Sequence, residues 1–478
     1  MNGILQQVES GLQWVVDKLD GPLWDITVIT LIITGLFFTI STGFVQIKLF
    51  GRSIKEILSG TKSNDSEALT SFQAFATGLA SRVGVGNIGG VATAIALGGP
   101  GAVFWMWVMA LIGMSSAFAE STLAQVFKTR NEDQSFRGGP AYYISKGLKA
   151  PWLGAIFALI LVFTFGFAFN AVQSNSIVKA TTVWHWDPVY VGVALVLLTA
   201  GVIFGGVKRV GKISSIVVPF MALIYLAITI VVMALNIQLL PGIFKLIITK
   251  AFEFEAMAGG IFGALFSQAM LMGIKRGLFS NEAGMGSAPN AAASADVPHP
   301  AIQGLVQMLG VFVDTLIVCS CTAFIILLSN NFGSADFRGV ELTQSALQHH
   351  VGAWGAHFLA LSLFLFCYTS IIGNYAYAES NIRYLKNNPT LVVIFRLAVL
   401  FFVYFGAVSD GGVVWAFADT IMAMMAMINL VSILLLAPIV WLVLKDYQRQ
   451  LAEGQSPAFR VENYPQLLKK GVSAEIWK

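Results

Sequence analysis

The stretch SRVGVGNIGGV, residues 81–91, places four glycines beside a serine, an arginine and an asparagine. Its core, Gly84 to Gly89, matches the G-x-G-x-x-G pattern of dinucleotide-binding loops. That pattern needs a strand before the glycines, a helix after them and an acid about 20 residues farther on. Here the glycines lie inside an apolar segment, residues 72–97, and the first acid downstream is Glu120 in the next apolar run. A nucleotide site is therefore disfavoured, and the glycines need another explanation.

The composition indicates that lipid surrounds most of the protein. Of the 478 residues, 56% are hydrophobic and 11% are charged, whereas soluble domains carry about 25% charged residues. The net charge of +4 is too small to favour a nucleic-acid partner. The first 20 residues lack the pattern of a cleaved signal and are typical of an amphipathic segment at the membrane interface.

The apolar segments predict an all-α integral membrane protein with eleven transmembrane helices. A membrane helix needs about 20 mostly apolar residues. Eleven segments meet this requirement, and the spans are predicted at 22–46, 68–95, 98–127, 150–174, 186–206, 212–236, 253–298, 299–330, 354–384, 388–408 and 411–445. The seventh is too long for one simple span.

The basic residues predict the orientation of these spans. Lysines and arginines are concentrated in the loops after spans 1, 3, 5 and 9 and in the C-terminal tail. An odd number of spans places all of these segments on one side, which the positive-inside rule identifies as cytoplasmic. We therefore predict a multi-pass protein of the inner membrane, with its N-terminus outside and its C-terminus in the cytoplasm.

Polar residues at the depth of the quoted stretch predict an interrupted helix. Small residues alone would be explained by close helix packing, as for Gly86 with Gly90. Packing does not explain Ser81, Arg82 and Asn87, because polar groups in a membrane are costly and usually line a cavity. An unwound helix frees carbonyl groups that can hold a cation and N–H groups that can hold an anion.

A second irregular segment lies five spans later. Residues 267–295 contain Gly273, Gly277, Gly284 and Gly286. Two interrupted helices that each lead a set of five spans are typical of transporters built from inverted repeats. We therefore predict an interfacial segment and an extra helix, two five-helix repeats and a cytoplasmic tail, at residues 1–21, 22–46, 68–236, 253–445 and 446–478.

Three blocks resemble the alanine or glycine:cation symporter family, the sodium:alanine symporters. They are VGVGNI at 83–88, GGPGAVFWMWVMALIG at 98–113 and GLFSNEAGMGSAPNAAA at 277–293. The resemblance covers nearly the whole chain and implies sodium-coupled uptake of small neutral amino acids through a leucine-transporter-type fold. Val85 stands where the family usually has a hydroxyl residue.

The wider superfamily implies where sodium would bind. The sequence from Val83 to Asn87 is similar to V-G-L-G-N in the first core helix of that fold, whose carbonyls meet a Thr-Ser pair from the eighth core helix. The resemblance implies Ala80 and Val83 as carbonyl ligands and Thr369 and Ser370 as hydroxyl ligands. Oxygen ligands suit a hard cation. Alternatively, the two hydroxyls bond back to their own helix.

A zwitterionic amino acid would need partners for both of its charges. The freed N–H groups of Gly84–Asn87 are candidates for its carboxylate. Carbonyl groups around Gly273 and Gly277 are candidates for its ammonium group. Gln173 and Asn175 in span 4 offer further polar contacts, although amides that bind neighbouring helices are an equally good interpretation.

Two charged residues admit several roles. Arg82 could attract the substrate, replace a second cation, pair with an acid such as Asp314, or extend into a vestibule. Glu282 is expected to cap the half-helix after the second break. The main alternative function is a proton-coupled amino acid transporter in which Arg82 replaces a metal ion. A channel or an enzyme is less consistent with the interrupted polar patches and the absence of a catalytic motif. Beyond transported sodium we expect no cofactor, and the oligomeric state is left open.

Overall fold

The computed structural model describes residues 2–60, 68–131, 134–253, 267–329, 332, 339–409 and 411–478. Residues 254–266, which form the first part of the predicted seventh span after residue 253, lie outside the described residues. The described chain is helical apart from turns, loops and one antiparallel hairpin, Thr129–Arg130 with Phe136–Arg137. The all-α class predicted from the apolar segments is therefore confirmed.

Eight helices of the described residues are long and apolar enough to cross a membrane. They correspond to the predicted spans 1, 3, 4, 6, 8, 9, 10 and 11. Their membrane-crossing segments are Val16–Ser41, Gly101–Val126, Pro151–Trp184, Arg209–Leu235, Pro300–Leu328, Trp354–Leu385, Pro389–Val408 and Gly411–Leu435. Span 5, Pro188–Ile203, is shorter, and spans 2 and 7 are each interrupted.

The interrupted and composite spans have the following bounds. Span 2 consists of Ser71–Arg82, a π-helical turn Gly86–Gly90, and Val91–Gly98. The described part of span 7 contains two helices, Gln268–Asn281 and Pro289–Ala293. Spans 4 and 8 each contain a π-helical segment, Val162–Ala168 and Phe312–Cys319. The first helix runs from Asn2 to Ser41 without a break, so residue 21 does not mark the end of a helix.

Short helices connect the spans or lie beside them. Near the basic loops they are Val45–Lys48, Phe50–Ser59, Pro140–Gly147, Ala437–Ala452, Val461–Asn463 and Pro465–Leu468. At the other ends of the spans they are Thr182–Trp184, Leu240–Ala251 and Val340–Val351. We call the side with the basic loops the basic side and the opposite side the distal side.

The spans divide into central and peripheral helices. The most apolar part of span 8 is 72% buried, whereas that of span 6 is only 28% buried. Leu197, Phe220 and Leu223 on spans 5 and 6 are 62–68% exposed, as expected of side chains that face lipid. Span 8 packs closely on span 3 because Gly304 has no side chain, and a Cβ atom there would overlap the Thr122 hydroxyl.

The C-terminal segment is folded against the basic side. Phe459 and Trp477 are buried, and the Phe459 N–H donates to the Pro298 carbonyl at 2.9 Å. The Lys470 Nζ donates to the Gly147 carbonyl at 2.8 Å. The segment that the sequence predicts as a polar tail therefore packs on the connections between spans 3 and 4 and between spans 7 and 8.

Candidate functional site

The break in span 2 occurs at Val83 and Gly84. Helix Ser71–Arg82 begins with a capping box between Thr70 and Gln73, and it ends at Val83, whose backbone is extended. The prediction of an interrupted helix in this stretch is confirmed. Gly84 is required by close approach, since a Cβ atom there would overlap the Ser370 hydroxyl and lie 2.9 Å from the Gln173 Oε1.

Two side-chain amides occupy the N–H groups that the break frees. The Gly84 N–H donates to the Asn87 Oδ1 at 2.9 Å, and the Val85 N–H donates to the Gln173 Oε1 at 3.0 Å. Gln173 is thus at the break, as the sequence suggested. Asn175 is not: its Nδ2 donates to the Gly406 and Ser409 carbonyls, both at 3.0 Å. Asn175 therefore binds span 10, in line with the helix-binding alternative.

The oxygen atoms expected to hold sodium lie close together. The Ser370 Oγ is 3.0 Å from the Ala80 carbonyl oxygen and 3.3 Å from that of Val83. Ser370 also donates to the Phe366 carbonyl of its own helix at 3.1 Å. Thr369 donates to the same carbonyl at 2.9 Å and to Leu365 at 3.0 Å. Ser370 therefore bridges spans 9 and 2, whereas Thr369 bonds back to span 9.

A buried carboxylate in span 8 organises the other side of the break. The Asp314 Oδ1 accepts from the Asn87 Nδ2 at 2.7 Å, and its Oδ2 accepts from the Ser280 Oγ at 2.8 Å and from the Thr315 Oγ1 at 2.9 Å. The Asn281 Nδ2 donates to Thr315 at 3.1 Å. Asp314 thus links spans 2 and 7. The signal in the sequence is a lone acid within an apolar run.

The break in span 7 lies farther along the chain than the sequence analysis expected. Gln268–Asn281 is a continuous helix, so the prediction of a break around Gly273 and Gly277 is wrong. A Cβ atom on Gly273 would lie 2.7 Å from the Trp105 Cβ, which shows that this glycine allows close packing on span 3. The chain leaves the helix at Glu282 and begins the next helix at Pro289.

Positive φ angles produce this second break. Glu282, Gly284 and Gly286 have φ values of 59°, 83° and 86°. Glycine adopts this region without strain, whereas glutamate does so only with support from its surroundings. Glu282 therefore ends the first half-helix. The prediction that it caps the second half-helix is wrong. Its carboxylate accepts from the Ser81 Oγ at 2.8 Å and from the Ser287 Oγ at 2.6 Å.

Glu120 of span 3 stabilises the second break, a role that the sequence analysis did not identify. Its Oε1 accepts from the Gly284 N–H at 3.1 Å, and its Oε2 accepts from the Gly286 N–H at 3.1 Å and from the Asn429 Nδ2 at 2.7 Å. The partners are mostly backbone groups far along the chain, so residue types alone do not reveal them.

Arg82 is buried beside both breaks. Its Nη1 donates to the Gln307 carbonyl at 3.3 Å, while its Nε and Nη2 have no hydrogen-bond partner in the described part of the chain. Its charge attracts the carboxylates of Glu120, Glu282 and Asp314. One guanidinium group therefore stands among three buried carboxylates.

A cavity opens on the basic side of the spans that carry the two breaks. It has a volume of about 440 Å³, and its lining includes Thr77, Asn290, Ser294, Tyr377, Glu379 and Arg383. These residues come from the basic-side halves of spans 2, 7 and 9.

A layer of aromatic and charged side chains covers the distal side. The ring of Phe279 lies 4.8 Å from that of Phe169 and 5.0 Å from that of Trp415. Arg276 forms a two-bond ion pair with Asp419, with distances of 3.1 and 2.6 Å. We call these five residues the distal gate. Among the described residues, these side chains cover the site on the distal side.

Comparisons with known proteins agree with this architecture. The model of the sodium:alanine symporter family matches residues 9–461. An uncharacterized transporter of Haemophilus influenzae is 65% identical over 474 residues, which cover 99% of this chain and 98% of that protein. The amino-acid carrier protein AlsT of Bacillus subtilis is 48% identical, with 95% and 96% covered. The sodium/alanine symporter AgcS of Methanococcus maripaludis is 38% identical, with 89% and 95% covered.

A solved structure is similar in fold. The crystal structure of MhsT in complex with L-phenylalanine has a TM-score of 0.51 and 15% sequence identity, with 80% of this chain and 99% of that chain covered. At this identity the similarity supports the fold alone, an all-α fold of the leucine-transporter type.

Proposed function

This chain belongs to the sodium:alanine symporter family, and we propose that it couples sodium entry to the uptake of a small neutral amino acid. The observation that carries the proposal is the contact of the Ser370 hydroxyl with the Ala80 and Val83 carbonyls, at 3.0 and 3.3 Å. It joins a hydroxyl of span 9 to carbonyls that the break in span 2 leaves without helical partners.

Sodium binds between spans 2 and 9 in this proposal. The Ala80, Val83 and Phe366 carbonyls and the Ser370 hydroxyl form an oxygen-only set, which a hard cation prefers. The Thr369 hydroxyl lies against the same Phe366 carbonyl and completes the set by a change of rotamer. Bound sodium stabilises the closed arrangement of the two spans, because both must contribute ligands at once.

The buried charges around the site also favour a cation. Glu120, Glu282 and Asp314 are three buried carboxyl groups, and Arg82 is a buried cation beside them. Uncompensated charges inside a membrane protein are strongly destabilising. A sodium ion that enters the site reduces any excess of negative charge, and this favours the binding of sodium to the empty carrier.

The amino acid binds where the two breaks meet. Its carboxylate replaces the side-chain oxygens of Asn87 and Gln173 at the N–H groups of Gly84 and Val85, where the positive end of a half-helix favours an anion. Its ammonium group is held by carbonyls of the last turn of Gln268–Asn281, the negative end of the other half-helix. The sequence had suggested the carbonyls around Gly273 and Gly277 for the ammonium group, and the carbonyls of this last turn take their place in the proposal.

The approach of the two breaks limits the size of the substrate. A Cβ atom on Gly86 would lie 3.1 Å from both the Phe279 ring and the Ser280 Cα. This close approach of spans 2 and 7 supports a substrate with a small side chain, such as alanine or glycine. The basic side is cytoplasmic in this account, so the structure represents the inward-facing state, and alternating access requires the distal gate to open to the outside.

Uptake by the purified protein in proteoliposomes tests the proposal. Radiolabelled alanine, glycine, serine and glutamine are supplied with an inward sodium gradient, and in parallel with choline in place of sodium. We expect accumulation of alanine or glycine only with the sodium gradient. Uptake that persists in choline and collapses with a protonophore would support the alternative, in which Arg82 replaces the metal ion and protons drive transport.

A further inference from the structure

A cluster of four charged side chains joins three helices at the distal end of the site. Asp20 lies on span 1, Lys275 and Arg276 on the first half of span 7, and Asp419 on span 11. The Lys275 Nζ is 3.3 Å from the Asp20 Oδ2 and 3.3 Å from the Asp419 Oδ2. Asp419 also forms the ion pair with Arg276 in the distal gate.

We propose that Asp20, on the span outside the two repeats, is a positioning residue that helps to hold the distal gate closed. The inference rests on the proposed alternating access but assigns a role to a helix that lies outside the repeat architecture. Asp20 contributes a second carboxylate to the side of the gate that faces the half-helix Gln268–Asn281.

The position of Asp20 is fixed from span 11. The Thr420 Oγ1 donates to the Asp20 Oδ1 at 3.0 Å, and spans 1 and 11 pack along each other. Asp20 and Asp419 therefore belong to one unit, while Lys275 and Arg276 belong to the half-helix that ends at the second break. Because Phe279 of the same half-helix covers Gly86, opening the site to the distal side requires this half-helix to move away from both carboxylates.

Charge balance explains why Asp20 matters although Asp419 is nearby. With Asp20 present, two cations face two carboxylates. Without it, Lys275 and Arg276 share Asp419, whose Oδ2 is already 2.6 Å from the Arg276 Nη2, and the two cations repel each other. The Asp20 side chain is 29% exposed and that of Lys275 is 11% exposed, so this ion pair lies at the rim of the gate, where solvent partly screens it.

Distance measurements between two spin labels test the role of Asp20. The labels are attached to cysteines introduced at Met272 on span 7 and Val413 on span 11, while the native cysteines Cys319, Cys321 and Cys367 are buried. In the absence of sodium and amino acid, Asp20→Asn is expected to raise the ratio of open to closed gate about threefold, the size expected for a partly screened ion pair.

Matched variants separate this role from general effects. Asp17→Asn, one turn earlier on the same helix, removes an exposed carboxylate that accepts from Gln13 and is expected to leave the ratio unchanged. In a Lys275→Met background, Asp20→Asn is expected to have no further effect, because its partner is gone. Thr420→Val, which frees the Asp20 side chain, is expected to shift the ratio in the same direction by a smaller factor.

Two results would overturn the inference: a ratio that neither Asp20→Asn nor Thr420→Val changes, or a shift of equal size with and without Lys275. A failure of the proposed function would give a different result. In the protein without the Asp20 substitution, the distance between the two labels would then not change on addition of sodium and alanine.

Discussion

Ser370 and Thr369 are neighbours in the chain but have different partners. Ser370 reaches the carbonyls of Ala80 and Val83 across the interface with span 2, whereas Thr369 donates only within its own helix, apart from a long contact of 3.9 Å with the Met221 sulfur. The resemblance to the family implied both residues as sodium ligands, and the contacts distinguish them. Ser370 is already in position to share a cation with span 2. Removal of its hydroxyl should therefore weaken sodium binding more than removal of the Thr369 hydroxyl.

Replacement of Ser370 by alanine should therefore weaken the response to sodium. We expect the sodium concentration for half-maximal uptake to rise about tenfold, which corresponds to about 1.4 kcal/mol, with a smaller rise for Thr369→Ala. The control is Ser176→Ala, since Ser176 is buried but donates to Val172 in its own helix. An unchanged sodium dependence in Ser370→Ala would show that this hydroxyl does not bind the cation.

For single residues, the sequence is a better predictor of features that depend on adjacent residues than of contacts between residues far apart in the chain. The break at Val83 and Gly84 was predictable, because glycines and polar residues interrupt an apolar run. The roles of Glu120 and Asp314 were not, because all of their partners except Thr315 lie 34–309 residues away. Asn175 resembles Gln173 in sequence context, yet two positions along a helix place the two amides on different faces.

The two interrupted helices show why the exact positions of helix breaks are harder to predict than the presence of the helices. Glycine serves two purposes in span 7. Gly273 allows close contact with span 3, while Gly284 and Gly286 adopt positive φ angles of 83° and 86°. Composition does not distinguish these uses, so the predicted break included both. The packing of the predicted tail, residues 446–478, against the spans was also not predicted, because its buried residues such as Phe459 and Trp477 are separated by polar ones.

The start of span 8 contains a titratable contact outside the membrane. His299 is the N-cap of Pro300–Val311, and its Nδ1 accepts from the Ala301 N–H at 3.1 Å. Its Nε2 therefore carries the proton and donates to the Asp446 Oδ2 at 3.2 Å. Burial lowers the pKa of His299. For Asp446, burial raises the pKa, but hydrogen bonds from His299, Tyr464 and Arg449 lower it overall.

Acid should therefore loosen the C-terminal segment. A histidine whose pKa is lowered in the folded state contributes stability above its ordinary pKa of about 6.5, and this contribution is lost as the pH falls below that value. Asp446 remains ionised in this range because its pKa is lowered. We expect faster hydrogen exchange in residues 455–478 as the pH falls from 7.5 to about 5.5, after correction for the intrinsic exchange rate.

Two variants check this pH dependence. His299→Gln keeps an acceptor and a donor but does not titrate, so the acid effect should disappear. His357→Gln, at a histidine on the distal side that accepts from Trp184, should leave the acid effect in place. A response to pH that persists in His299→Gln would assign it to another group.

On the scale of the whole molecule, the architecture followed from topology more than from individual residues. An odd number of spans, basic loops on one side and two irregular helices five spans apart predicted an inverted repeat with an extra helix. The structure adds what the sequence did not show: the segments beside the two breaks approach each other at Gly86 and Ser280, Arg82 attracts three buried carboxylates, and Asp20 of the extra helix contacts Lys275 beside the distal gate. In the proposed function, sodium, the amino acid and the distal gate therefore all involve the same two half-helices.

The central claim is that sodium and the amino acid bind together at these breaks, and equilibrium binding tests it most directly. Binding of the radiolabelled amino acid that is transported fastest is measured on the purified protein over a range of sodium concentrations, with choline keeping the ionic strength constant. We predict that sodium increases the affinity for the amino acid, and that the amino acid increases the affinity for sodium by the same factor. Equal affinity for the amino acid in sodium and in choline would contradict it.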